Sequence, residues 1–159
     1  MCKICKPEPG DLIFTRDNGV ISRIIRYVTK GKYSHVGVYF GHGLILEADW
    51  NGVVLSSLDK KYHEYEVVSP TKTVNRLEFI ERLLRRVGDG YDYSFLFGNL
   101  LYKIFGKAKA FLGFSNDPNR WICSELIATQ LKECGEALDK PLEQYDPQTL
   151  REFYIGRVE

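Results

Sequence analysis

Residues 33–49 read Tyr-Ser-His-Val-Gly-Val-Tyr-Phe-Gly-His-Gly-Leu-Ile-Leu-Glu-Ala-Asp, and their alternation decides the fold. Successive side chains of extended backbone point to opposite sides, so Val36, Val38 and Phe40 share one face of a strand. After Gly41-His42-Gly43, the matching apolar set is Leu44, Leu46 and Ala48. Pairing apolar with apolar predicts a β-hairpin with Phe40 beside Leu44, closed by a three-residue loop in which glycine supplies the positive φ. His35 then lies on the other face with Glu47 and Asp49. In that register Asp49 stands opposite His35, while Glu47 is its diagonal neighbour and stands opposite Gly37. The bare glycine leaves room for the longer carboxylate to reach the imidazole. A carboxylate on one ring nitrogen fixes the tautomer and stabilises the imidazolium, and alternation alone leaves both Glu47 and Asp49 open for that task. Tyr33, two residues before His35, points the same way and offers a hydroxyl donor. The face is otherwise expected to be solvated. His42 at the loop tip and His63 in Lys-Lys-Tyr-His-Glu read as exposed.

Outward from the hairpin, residues 11–15 follow the Pro9-Gly10 break as a short buried strand. Ile21, Ile24, Ile25 and Val28 recur at helical spacing, which predicts an amphipathic helix over 20–29 with Arg23, Arg26 and Lys30 toward solvent. Short strands are expected at 53–55 and 65–68, separated by the polar run Ser-Ser-Leu-Asp-Lys-Lys-Tyr-His-Glu. A helix over 74–87 would turn Val74, Leu77, Ile80, Leu84 and Val87 inward, and another is expected over 94–105. The stretch from Ile122 to Cys134 reads as a helix that Gly135 terminates. Asp146-Pro147 is an N-cap and first-turn pair for a last short helix, followed by a final strand in Tyr-Ile-Gly-Arg-Val, residues 154–158. The sum is an α+β chain with a tail at 1–9 and one domain over 10–159.

A formal net charge of +1 gives no polyelectrolyte character, so nucleic acid is not an expected partner. The cysteines at 2, 5, 123 and 134 are too few and too scattered for a disulfide framework. Cys2 and Cys5 form a CxxC with no second half-site, so no metal and no cofactor are expected. Met1-Cys-Lys-Ile-Cys-Lys carries no apolar leader, which gives a cytoplasmic expectation. Residues 95–114 are apolar but include Lys103, Lys107 and Lys109, too costly for a membrane span; contact with a membrane surface through them, or a core helix, are the two readings.

Arg120-Trp121-Ile122-Cys123-Ser124-Glu125-Leu126 places Cys123 at a helix start, where unpaired amides and the helix dipole favour a thiolate. Beside His35 the thiolate would be stabilised further, and the helix amides could receive the oxyanion of a tetrahedral intermediate. The competing reading puts Cys123 in a buried stripe with Leu126, Ile127, Leu131 and Cys134. Cys134 belongs to that structural class.

Together, PGDLIF, YSHVGVYFG, LILEADWNGVV, GYDYSFLF and WICSELIA resemble the permuted papain-like enzymes of the NlpC superfamily, in particular the YiiX-type group. The resemblance runs from about residue 10 to residue 135, with the His hairpin ahead of the Cys helix, which is the permuted order. It implies a small antiparallel sheet against helices with a nucleophile at a helix N-terminus. It further implies Cys123 as nucleophile, His35 as general base and Glu47 as the residue orienting His35. Tyr33, Asp49, Ser124 and Trp121 are candidates for oxyanion or substrate contacts. The implied activity is a thiol hydrolase of the amidase or peptidase type acting on a small peptide, amide or acyl substrate. Relatives in that superfamily include cell-wall peptidases and lipid acyltransferases, and a non-catalytic binding module on the same fold is a third reading.

Overall fold

The structure, a computed structural model, describes residues 6–93 and 119–156. Its centre is a five-stranded antiparallel sheet in the order β4-β3-β2-β1-β5, made of β1 (Leu12–Thr15), β2 (His35–Gly41), β3 (Leu44–Asp49), β4 (Gly52–Ser57) and β5 (Tyr65–Val68). The order follows from the chain. β2, β3 and β4 are joined by tight turns and pair as neighbours, while β1 and β5 close the other side.

Alternation sorts the side chains of the sheet onto two faces. Leu12, Phe14, Val36, Val38, Leu46, Ala48 and Val53 enter the main core. Against them pack α3 (Arg76–Leu84), α4 (Cys123–Glu133) and α5 (Pro147–Ile155). The opposite face is not solvated, as alternation had suggested. Ile13, Ile45 and Leu58 form a second small core there, flanked by Tyr39, Tyr62, Tyr65 and Val67. Leu58 arrives on α2 (Leu58–Lys61), a single turn inside the run that reads as polar.

The hairpin register matches the alternation argument through Val38↔Leu46 and Tyr39↔Ile45, then shifts so that Gly41, and not Phe40, faces Leu44. The connection is a tight turn with His42 at φ 52° and Gly43 at φ 74°, the positive values that suit right-twisted hairpins. The extra residue is absorbed as an irregularity between Tyr39 and Gly41.

Three helices depart from their expected packing. α3 begins at Arg76 because Asn75 Oδ1 accepts the amides of Leu77 and Glu78, at 3.1 and 3.3 Å. It buries Phe79 and Leu83, leaving Leu77, Leu84 and Val87 exposed. Two apolar stripes coexist in that sequence, and the one carrying the large Phe79 faces α4. Residues 154–155 close α5 in place of a strand; Asp146 Oδ1 caps it by accepting the Thr149 amide at 2.8 Å, with Pro147 at its start. The first helix, α1 (Val20–Thr29), forms where periodicity places it, yet none of its residues is buried. Its apolar side borders a cleft and not the core. A two-stranded parallel pair, β6 (Gly90–Tyr91) with β7 (Arg120–Trp121), leads into α4 and is too short to leave a periodic signature. The expected helix at 94–105, the stretch 95–114, and Cys2 and Cys5 lie outside the described residues. Among the described residues, no helix is long and apolar enough to cross a membrane.

Candidate active site

His35 is the first residue of β2, paired with Thr15 of β1, and this end position lets its ring reach past the sheet edge toward α4. Its Nε2–H donates to Glu47 Oε2 at 2.7 Å. Nδ1 is then the nitrogen left for the Cys123 thiol, which hydrogen-bonds the ring. Cys123 opens α4 directly after Ile122, and the amides of Val36 and Ser124 also point at its sulfur. The three side chains that sequence reasoning singled out for chemistry are therefore brought into one hydrogen-bonded chain.

Burial by itself would raise the Cys123 pKa, but the His35 imidazolium and the two amides outweigh it and hold the thiol below its ordinary value. Burial would likewise depress His35. The facing thiolate and the Glu47 carboxylate prevail and push it up to about 10. Both shifts favour the thiolate–imidazolium form of the pair.

Glu47 has no exposed surface, and it is anchored from three sides. Besides His35, Lys61 Nζ donates to its Oε1 at 2.6 Å and the Tyr62 hydroxyl to its Oε2 at 2.7 Å. Desolvation pulls the Glu47 pKa up, but these donors lower it to about 2. Tyr62 also stacks on the His35 ring, with centroids 6.0 Å apart and planes at 23°. Its own pKa is raised, first by burial and then by the Glu47 charge. Sequence reasoning missed Lys61 and Tyr62 because they sit in a run classed as polar surface. The available signal was Leu58 and Tyr62 at i, i+4 spacing, one apolar side of a short helix.

The remaining candidates are placed as follows. Asp49 accepts from Lys61 Nζ at 2.6 Å, so it steadies the residue that steadies Glu47. Gly37 does leave space, but Ile45 takes it: a Cβ there would lie 2.6 Å from Ile45 Cδ1. Tyr33 turns away, with its hydroxyl on Glu66 and its ring over Phe14. The Trp121 indole Nε1–H donates to Asp89 Oδ2 at 2.9 Å, under the Arg86 guanidinium. Ser124 is buried and offers its amide to the sulfur. Cys134 is half-buried, and burial together with the Glu78 charge pushes its thiol up. His42 and His63 are exposed.

A cleft of about 960 Å³ opens over His35 and Cys123. Ile21, Ile25 and Val28 of α1 line one side, and Tyr91, Ile122 and Pro147 contribute to the rest. Trp50, stacked on Tyr93 at 5.7 Å, stands at its rim.

The NlpC/P60 family model matches residues 2–72, a span that contains His35 and Glu47 and ends before Cys123. The chain is 28% identical over 134 residues to the probable lipoprotein peptidase YaeF of Escherichia coli (strain K12), covering 81% of this chain and 49% of that protein. It therefore spans about half the length of this curated relative. The crystal structure of YiiX from Escherichia coli O157:H7 (DUF1105) superposes with a TM-score of 0.61 at 20% identity, over 97% of this chain and 85% of that one, and carries the likeness of fold. That structure is described as a metalloprotein. Among the described residues of this chain, no group of three or more His, Cys, Asp or Glu side chains could hold a metal ion. The family match and the peptidase-named relative support a peptidase or hydrolase family.

Proposed function

Given the NlpC/YiiX-type family that these likenesses support, we propose that the chain is a papain-like thiol hydrolase that cleaves an amide or peptide bond through an S-acyl intermediate. The observation that carries this reading is the unbroken sequence of contacts from Cys123 to His35 to Glu47. The Cys123 thiolate attacks the scissile carbonyl, forming a C–S bond, and the oxyanion develops near the amides at the start of α4. Imidazolium His35 gives its proton to the departing amine as the C–N bond breaks. A water then loses its proton to neutral His35, attacks the thioester and releases the carboxylic acid, returning sulfur to thiolate and His35 to imidazolium. Glu47, held charged by Lys61 and Tyr62, keeps the ring oriented throughout.

In this reading residues 10–159 act as one hydrolase domain in permuted order, and the work is done in the cytoplasm, which cell fractionation tests. Incubating the purified chain with a panel of short peptides and acyl amides should yield an acyl adduct on Cys123 by mass spectrometry. Turnover that survives Cys123→Ala would refute the mechanism. A lipid-directed version of the same chemistry is favoured by one observation, the branched side chains Ile21, Ile25 and Val28 along the cleft. Rates that rise with acyl length in a series of thioesters would select it.

A further inference from the structure

Helix α1 is the element whose structure departs most from its sequence pattern. Ten residues long, it buries none of them. At about 100° per residue, Tyr27, Val20, Ile24, Val28, Ile21 and Ile25 fall in one continuous apolar arc of about 160°. Val20, Ile21, Ile25 and Val28 of that arc line the cleft, as does Arg26 beside it, and Ile24 and Tyr27 do not. Ile24 and Tyr27 face outward, 36% and 85% exposed, and Val20, at the border of the cleft, is 73% exposed. Next to this outward strip stand Arg23, about 60° round the helix from Val20, and Arg26, about 120° round and at the cleft, with Lys30 at the C-cap just beyond the helix. No acidic residue occurs between Asp17 and Glu47, whereas Arg23, Arg26, Lys30 and Lys32 do. Among the described residues, Arg23 and Lys30 make no ion pair, and Arg26 only donates to the Asp17 carbonyl at 3.1 Å.

An aqueous solvent alone rewards none of this. Exposed Val, Ile and Tyr on one strip cost free energy in water, and a strip flanked by cations alone is complementary to an apolar layer beneath negative charge. A protein partner with an acidic rim would need a groove for a helix that already walls a cleft on its other side, whereas a bilayer needs only the outward strip.

We propose that α1 is an interfacial helix that seats the protein on an anionic lipid surface, with Val20, Ile24 and Tyr27 entering the headgroup boundary and Arg23, Arg26 and Lys30 meeting lipid phosphates. The cleft over Cys123 then opens beside the membrane plane. The proposal does not depend on Cys123 chemistry.

The test is co-sedimentation of the full chain with vesicles of phosphatidylcholine alone and of phosphatidylcholine mixed with phosphatidylglycerol. Wild type should partition onto the mixed vesicles, and salt should weaken it. Arg23→Glu with Lys30→Glu should reduce partitioning at least about 20-fold, from about fivefold per surface cation. Tyr27→Asp, at an exposed site, should also release the protein without lowering the thermal midpoint. Cys123→Ala should bind as wild type does, which separates failure of the docking surface from failure of the thiol mechanism. No binding to mixed vesicles, equal binding to neutral ones, or full binding by either α1 variant would overturn the proposal.

Discussion

Replacing His35 with alanine removes the cation that faces Cys123, and the pH dependence of Cys123 alkylation reports the consequence directly. A free thiol with pKa about 8.5 is only about 3% thiolate at pH 7. In the wild-type site the His35 imidazolium and the amides of Val36 and Ser124 hold Cys123 as thiolate despite burial. The labelling midpoint of Cys123 should therefore lie below that of an ordinary thiol, with a further change as His35 deprotonates near 10. With His35 in place Cys123 is only 7% exposed, and once the imidazolium is removed burial favours the neutral thiol. In His35→Ala the midpoint should move up toward the ordinary thiol value of about 8.5, with correspondingly less thiolate at pH 7. Because a low-pKa thiolate is also a weaker nucleophile, the midpoint and not the rate at one pH is the measure. Iodoacetamide labelling with mass-resolved sites supplies an internal comparator in Cys134, whose pKa is raised. A wild-type Cys123 profile that climbs together with that of Cys134, or a midpoint unchanged by His35→Ala, would refute the ion pair.

Three further outcomes are expected. Glu47 has its pKa lowered to about 2 from 4.5, so its contribution, about 3 kcal/mol, is present above about pH 4.5 and is lost as the pH falls toward 2. Glu47→Gln should lower stability at pH 7 by an amount of that order and flatten the acid side of urea-unfolding midpoints measured against pH; an unchanged acid limb would contradict it. Lys61→Met should move both limbs of the pH profile of kcat/KM upward by about half a unit, since it removes a cation beside the Glu47 and Asp49 carboxylates, while Lys61→Arg leaves them in place. Lower activity with fixed limbs would mean that Lys61 only packs. Gly52→Ala should destabilise the chain by about 2 kcal/mol or more, because φ there is 102° and a Cβ would lie 2.3 Å from the Asp89 carbonyl oxygen; chemical denaturation at constant slope measures it.

The sheet was legible in the chain because alternation is a local property. Once Val36, Val38, Leu46 and Ala48 share a face, the pairing of β2 with β3 and the company of His35 with Glu47 follow without further information. Helix ends were legible where the end residue itself makes the stop, through the Asp146 carboxylate at the start of α5 and through the positive φ of Gly135 after α4. Periodicity could not choose between the two stripes of α3, since both repeat at helical spacing and only the neighbour α4 distinguishes them. It could not tell an apolar face that packs on a core from one that borders a cleft, which is why α1 read as an ordinary surface helix.

The same division holds at the site. Cys123 and His35 could be singled out from local position, a helix start and a strand face, whereas the choice of Glu47 over Asp49 came from the family resemblance and not from alternation. What required the tertiary structure was their meeting and the partners that charge them. Lys61 and Tyr62 reach Glu47 across 14 and 15 residues of chain, and Tyr33 and Trp121 are drawn off to Glu66 and Asp89. Hydrogen bonds between distant segments leave no period in the sequence, for they depend on where whole elements come to rest. Short-range geometry thus wrote the candidates into the chain, and long-range packing decided which of them share a proton.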